Sequence, residues 1–440
     1  MERETLTYTQ VDQGVVDTME KPSKRYLGLL ALCFLGVIVG AYMWHRQAQL
    51  GMGVTGLNNP VGWGVYIATF VFWVGIAHSG TLISAILYLL RAEWRTSVYR
   101  SAEAMTIFAL MTAGLFPLIH LGRVWFFYWL LPYPNQRMLW PNFRSPLMWD
   151  VFAVSTYFII SFLFLFLGML PDLAALRNKG PWWKQTLYSL LTLPWRGTAK
   201  QWRHYKKAYL LMAAIATPLV VSVHSVVSWD FAMSIIPGWH STIFAPYFVA
   251  GAIHSGLAMV LTLLIPLRKY AKLDTFIKLD HLEKLAQLII VTGLIMGYSY
   301  AFEYFIAWYS GNVFEQGTFF YRSFGAYAPQ ALAMLLFNSL VPLLFFIRRM
   351  RRNLTAMIVI SILINVGMWF ERFVIVVGSL SYDFIPFNWG LYKISATELS
   401  ILIGSFSWFF MLFLIFIKIF PAVSIAETKE DMPAPRRNPE

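Results

Sequence analysis

His120 and Arg123 stand one helical turn apart, Trp149 precedes Asp150, Trp229 precedes Asp230, and Glu371 is followed by Arg372. Each lies in or beside an apolar stretch, where an ionisable side chain is costly and is kept when it lines an internal cavity or pairs with another charge. An imidazole, with an ordinary pKa of about 6.5, takes a proton at neutral pH when a carboxylate stands beside it, and a second carboxylate passes a proton on to water. An arginine keeps such carboxylates ionised or polarises a carbonyl oxygen. With Trp125, Phe126, Trp149 and Trp229 as walls, the set suits a quinol, a flat ring whose two hydroxyls each release a proton as two electrons leave. His120, Asp150 and Asp230 are therefore the candidate catalytic residues, and the same three with Arg372 the candidate binding residues. Cys33 is the only cysteine, which excludes an intrachain disulfide, a thiolate-held iron–sulfur cluster and a cysteine-rich zinc site. Electrons taken from the ring must then leave to an external acceptor.

Plainer readings stand beside each of these. His120 also reads as an interfacial histidine bonded to a backbone carbonyl, Asp150 as a helix N-cap, and Arg123 as a snorkelling side chain. Glu371 and Arg372 also read as a mutually neutralising pair, whereas Asp230 has no basic neighbour in its own loop. His78 and His254, each followed by serine, fit packing or hydrogen-bonding roles. Haem ligation by two histidines is disfavoured, because each span offers one histidine with no second expected at the same depth. Together with Glu103, Tyr300, Glu303 and Glu371, and with Ser84 beside them, these two histidines form a candidate proton relay.

The elements that must position these residues follow from composition. Of 440 residues, 58% are hydrophobic and only 13% charged, about half the charge of a soluble chain, which excludes a soluble enzyme. Ten apolar runs of about 18 residues or more read as membrane helices, near 26–44, 62–90, 102–121, 146–170, 208–227, 243–267, 286–308, 327–346, 354–377 and 398–420. The third is expected to kink at Pro117. The connection 171–207, with Pro181, Trp182, Trp183, Pro194 and Trp195, reads as an interfacial segment. Of the 35 Lys and Arg, 28 fall at one end of the spans and six at the other, with Arg372 inside span nine. The formal charge of +13 is thus a topology signal and not a nucleic-acid surface, and the positive-inside rule predicts that both termini are cytoplasmic. The polar set then gathers at the outer ends of spans three, four, five, seven and nine, with His224 counted among it at the end of span five. The first 25 residues lack the pattern of a cleaved signal, so the first helix is expected to stay as an anchor.

An internal repeat organises the spans. Gly62, Trp63, His78, Ser79 and Gly80 recur 176 residues later as Gly238, Trp239, His254, Ser255 and Gly256, and Phe143, Arg144 and Ser145 return after 178 as Tyr321, Arg322 and Ser323. An even number of spans keeps its orientation when duplicated, so the repeats are parallel. The expected fold is an all-α integral membrane protein of ten transmembrane helices, in two parallel-repeat four-helix bundles plus two peripheral helices. Its expected divisions are a cytoplasmic segment at 1–25, a peripheral helix and outer loop at 26–61, bundles at 62–227 and 228–377, an outer loop and peripheral helix at 378–420, and a cytoplasmic tail at 421–440.

With His120 and Arg123 ending the third span, Trp149 and Asp150 starting the fourth, and Asp230 after the fifth, the chain resembles the NrfD-like family, the membrane subunits of polysulfide-reductase type complexes. The resemblance covers residues 62–377, and the two peripheral spans and the long loop after span three make it most similar to the quinol-binding subunit of bacterial alternative complex III. It implies a subunit of the bacterial cytoplasmic membrane, in lipid, that holds no haem or iron–sulfur cluster and oxidises menaquinol near the periplasmic face. It also implies three kinds of partner: an iron–sulfur subunit on that face, multi-haem cytochrome c subunits, and a second NrfD-like membrane subunit. Quinol binding and deprotonation fall by this resemblance to His120, Asp150 and Asp230, with Arg372 beside them, and coupling to proton translocation is a subsidiary expectation. A secondary transporter with parallel repeats and a structural anchor without quinol turnover are the rival readings.

Overall fold

The computed structural model describes residues 7–20, 22–131, 145–192, 194–430 and 432. Phe143 and Arg144 of the second repeat match, and most of the loop between spans three and four, lie outside these residues. The described elements are α1 (Tyr8–Met19), α2 (Lys24–Leu50), α3 (Val65–Leu89), α4 (Tyr99–Ala113), α5 (Leu115–His120), α6 (Pro146–Ala175), α7 (Trp182–Leu191), α8 (Ala199–Ala232) and α9 (Phe244–Tyr270). They continue as α10 (Leu279–Tyr309), α11 (Val313–Phe324), α12 (Ala328–Leu335), α13 (Arg348–Arg351), α14 (Leu354–Phe373), α15 (Ser379–Ser381), α16 (Ala396–Ile419) and α17 (Ile425–Glu430).

Ten helical stretches among the described residues are long and apolar enough to cross a membrane, one at each expected place, so the chain is an all-helical, multi-pass membrane protein. Span three breaks between α4 and α5 because Pro117 has no N–H to offer the carbonyl of Ala113. Span eight passes from α12 through a π turn at Leu336–Leu340 into a 3-10 turn at Val341–Phe346. Here Pro342 cannot donate to the carbonyl of Asn338. Span nine runs from α14 through a second π turn, Val374–Gly378, into α15. Several helices start earlier than the apolar runs do, because polar first turns stay helical in water when capped. Thr198, for example, caps α8 by accepting from the backbone of Gln201 at 3.3 Å.

In α3 and α9, 94% and 83% of the apolar window is buried, against 11% in α2, which makes the two repeat-related helices the centre and α2 the rim. Helices α3, α4–α5, α6 and α8 pack as one bundle, and α9, α10, α12 and α14 as the other, joined through α3 on α9, α8 on α9 and α3 on α14. The repeated glycines make the close approaches. A Cβ on Gly80 would meet the Ala102 carbonyl of α4, and one on Gly256 would fall on the Ser79 hydroxyl of α3. Trp369 of α14 donates to Thr69 of α3 at 3.1 Å. Outside both bundles α2 and α16 form a pair, with Gly40 against Gly404.

Because each span reverses direction, one end of the molecule gathers the basic connections and the other is poor in charge. Arg95 and Arg100, counted above as loop cations, are in fact buried at the charge-rich end. Arg100 donates to Asp172 at 2.7 Å, to the Gly168 carbonyl at 2.7 Å and to the Tyr99 hydroxyl at 3.1 Å. Arg95 lies over the Tyr99 ring at 4.3 Å and pairs with Glu427 of α17. The connection 171–207 holds the amphipathic α7, whose Lys184 ammonium donates to the carbonyls of Met19 at 3.1 Å and Lys418 at 2.7 Å. Burial holds that ammonium below the ordinary lysine range.

Candidate functional site

At the charge-poor end, the start of α6 meets the finish of α8. Ser145 and Pro146 open α6, so Asp150 lies one turn inside the helix and is not its cap. Asp230 sits in the last turn of α8. The two carboxyl groups face each other within hydrogen-bonding range. Such a contact requires a proton between them, since two carboxylates offer only acceptors. Asp150 and Asp230 each keep a buried Oδ1 without a protein partner. Asp230, which has no basic neighbour in sequence, thus finds an acidic one in space.

Beside this pair, on the perimeter, an apolar groove of about 320 Å³ runs between α6 and α8, lined by Trp149, Phe152, Ala153, Thr156, Val223 and Val226 among others. Trp149 packs edge-to-face on Trp229 at 5.9 Å, so the residues preceding both aspartates form one aromatic corner. Val226 lies one turn before Asp230. Of the four walls that the sequence expected, this groove takes Trp149, and His120, Asp150, Asp230 and Arg372 are not among its lining residues. Trp125 is exposed on the 3-10 turn Val124–Leu130 and Phe126 packs at a tilt against Trp129 of that same turn, at 5.4 Å.

His120 ends α5 at the same end of the molecule, its Nδ1 buried and without a partner. Among the described residues no hydrogen bond joins it to either aspartate. Arg123 is exposed, as a snorkelling side chain would be. Arg372 is turned elsewhere: its guanidinium pairs with Glu371 at 2.9 Å and lies 4.2 Å over the Phe248 ring, in a space kept open by Gly251. The expected ring of four thus resolves into the Asp150–Asp230 pair, His120 near the same rim, and Arg372 in an interior cluster.

That cluster links spans six, seven, eight and nine. Tyr300 donates to Glu371, and Asn338 donates to the Tyr300 hydroxyl at 2.8 Å and to Glu371 at 3.4 Å. The side chain of Asn338 reaches Glu371 across Gly367, where a Cβ would collide with it. Glu303 lies 4.0 Å from Arg322. Glu315 of α11, which accepts from the backbone of Gly238 at 2.9 Å, has its carboxyl raised by burial.

His224 corrects a sequence expectation. Rather than joining the rim, it contacts His78, with ring centroids 4.5 Å apart, so His78 does have a second histidine at its depth. The two rings touch directly, whereas a haem held by two histidines keeps them on opposite faces of its plane. The disfavour for haem stands on this contact and not on a missing partner. His78 also bonds within its own helix, Nδ1 donating to the Val74 carbonyl at 2.5 Å, and stacks on Tyr157 at 4.7 Å. His254, its repeat mate, bonds the Thr292 hydroxyl of α10 at 2.8 Å. Glu103 accepts from Ser84 at 2.5 Å and from Tyr209 at 3.0 Å, and Tyr209 accepts from Arg95 at 3.3 Å.

Sequence reasoning missed Tyr157, Tyr209, Asn338 and Gln47. Tyr157 stands seven residues from Asp150, two turns down the same face. Asn338 is followed four residues on by Pro342, a spacing that announces a deformed helix. Those two had a legible signal, and the other two did not.

The comparisons with known proteins agree on the family. Residues 53–382 match the family described as Polysulphide reductase, NrfD, and the chain belongs to it. It is 29% identical over 259 residues to a candidate membrane subunit of dimethyl sulfoxide reductase from Halobacterium salinarum, covering 58% of this chain and 54% of that one. It is 22% identical over 289 residues to an Hdr-like menaquinol oxidoreductase integral membrane subunit of Archaeoglobus fulgidus, covering 65% and 61%. A selenate reductase subunit of Mesobacillus selenatarsenatis is 23% identical over 233 residues, covering 51% and 53%. The chain spans between about half and three fifths of the length of these relatives.

Proposed function

We propose that the protein binds a quinol in the groove between α6 and α8 and oxidises it, as the membrane subunit of a multi-subunit oxidoreductase. The observation that carries this reading is the Asp150–Asp230 pair, each with one buried oxygen that has no protein partner, beside an aromatic groove at the molecule's perimeter. A ring entering from lipid packs on Trp149 and brings one hydroxyl to the carboxyl pair, which takes its proton. His120 receives the second hydroxyl and its proton through its free nitrogen. The quinol thereby loses two protons and two electrons and leaves as quinone. Both electrons pass to an iron–sulfur subunit docked on the charge-poor end, which the positive-inside rule places outside the cytoplasm, so both protons are released there. Arg372 acts at one remove, by keeping Glu371 paired.

The Archaeoglobus relative is named for menaquinol, which favours that quinol. Two relatives are named as reductase subunits, and a reductase consumes electrons, so a quinol-oxidising membrane subunit suits them equally. This supports a second reading of the onward path: from the iron–sulfur partner to a catalytic reductase subunit, in place of multi-haem cytochromes c and a second NrfD-like subunit. The buried set of His78, Glu103, His254, Tyr300, Glu303 and Glu371 is the proposed route by which turnover also moves protons across the membrane.

A photoreactive menaquinone analogue tests the reading on the purified complex. Labelling should fall within 149–156 or 219–226 and be competed by menaquinol. Labelling confined to other segments, with quinol turnover untouched by Asp150→Asn, would leave the chain an anchor; loss of solute uptake in that variant would make it a transporter.

A further inference from the structure

Helix α2 faces outward along most of its length, and the buried residues it contributes are Cys33, Gly40 and Gln47. Gln47 is fully buried and fully engaged. Its Oε1 accepts from the Tyr66 hydroxyl of α3 at 2.5 Å, which fixes the amide so that Nε2 points the other way, to the Ile119 carbonyl at 2.9 Å. That carbonyl belongs to the last turn of α5, one of the groups a helix end leaves without an internal partner. The residue after it is His120. The chain then turns through Gly122 in a left-handed conformation, φ 69°, and returns only a long 3.3 Å bond to the same carbonyl. Gly122 is itself covered by Met52, from the turn that follows α2: a Cβ there would stand 2.9 Å from the Met52 Cγ. Helix α2 and its turn therefore grip the chain on both sides of His120.

The grip has a fixed base. Gly36 and Gly40 seat α2 on Ser407 and Gly404 of α16. Helix α16 is tied to α3 by Trp73, which donates to Ser405 at 3.2 Å. At its start Glu398 accepts from the backbone of Gly56 at 2.8 Å and from the Tyr392 hydroxyl at 2.6 Å.

We propose that Gln47 is a positioning residue for His120, which makes the peripheral pair α2–α16 part of the quinol site; this rests on the quinol-oxidation reading above. With leucine at 47 the Ile119 carbonyl and the Tyr66 hydroxyl both lose a partner, and the turn carrying His120 is released. A displacement of about 1 Å at a reacting group is enough to cost one to two orders of magnitude in rate.

The test is a double-mutant cycle in the intact purified complex, read as steady-state quinol oxidation. Gln47→Leu should lower kcat roughly tenfold with KM changed less than threefold. In a His120→Gln background the same change should cost less than twofold, because a residue acting through His120 has nothing left to position. A full tenfold loss in that background overturns the inference, and so does an unchanged kcat in Gln47→Leu alone. Should Gln47→Leu fail to assemble, Tyr66→Phe releases only the amide orientation. It should lower kcat about threefold on its own and be silent in the His120→Gln background, and unchanged turnover in Tyr66→Phe alone counts against the proposal. His120→Gln alone leaving turnover intact is a separate result: it removes His120 from the quinol reading itself.

Discussion

Replacing Asp150 by asparagine changes one atom in the site. The amide has the same volume and still faces Asp230, so the meeting of α6 and α8 is preserved. What disappears is one of two proton acceptors beside the groove. A positioned general base is worth about 10²- to 10⁴-fold. Because Asp230 stays within reach of the same proton, the lower bound applies, and kcat should fall roughly 100-fold, about 2.7 kcal/mol on the barrier. KM should move less than about threefold, since the groove is apolar apart from Thr156 and Ser222. Asp230→Asn should behave alike. The double variant should lose about 10³-fold and not the 10⁴-fold that independent residues would give, because the two carboxyls act as one unit. The assay is initial-rate oxidation of a reduced menaquinone analogue by the intact complex with an artificial acceptor. Asp150→Asn within twofold of the parent, or strict additivity in the double variant, refutes the reasoning.

Three further outcomes are expected. Ala153→Phe puts a ring into a groove of about 320 Å³ and should raise KM for quinol at least about tenfold while kcat at saturation changes little, by the same rate assay. Arg372→Gln strands the buried Glu371 and should destabilise the protein by about 3 to 5 kcal/mol, visible as a lower melting temperature of the solubilised complex, with partial recovery when Glu371→Gln is added. Glu103→Gln keeps the volume beside Ser84 and Tyr209 and sits far from the groove, so quinol turnover should stay within about twofold. Proton release per electron pair from reconstituted vesicles should nevertheless drop; an unchanged ratio removes Glu103 from the relay.

The membrane spans were legible because a helix in lipid needs an apolar run of fixed length, and a single Pro at 117 was enough to mark a break. The Asp150–Asp230 contact was legible only as a convergence, since both residues were assigned to one end by counting spans. What sequence could not supply was depth and partner choice. His224 and Asp230 are six residues apart on one helix, roughly 9 Å of rise, and that distance separates a side chain on the rim from one against His78. Arg100 looked like a loop cation because it stands between two apolar runs, yet Asp172, the Gly168 carbonyl and Tyr99 draw it inside. Gln47 carried no signal at all, because its importance lies in a carbonyl 72 positions away.

The crossing of α3 and α9 reaches beyond packing. Where Gly256 abuts Ser79, the two bundles are keyed together with no space for even a methyl group, and Trp369 pins a second helix across the same boundary. Machines that carry solutes by alternating access rock one half against the other along a slippery seam. Here the seam is bolted at its middle. A stroke of one half past the other would first have to break both of these contacts.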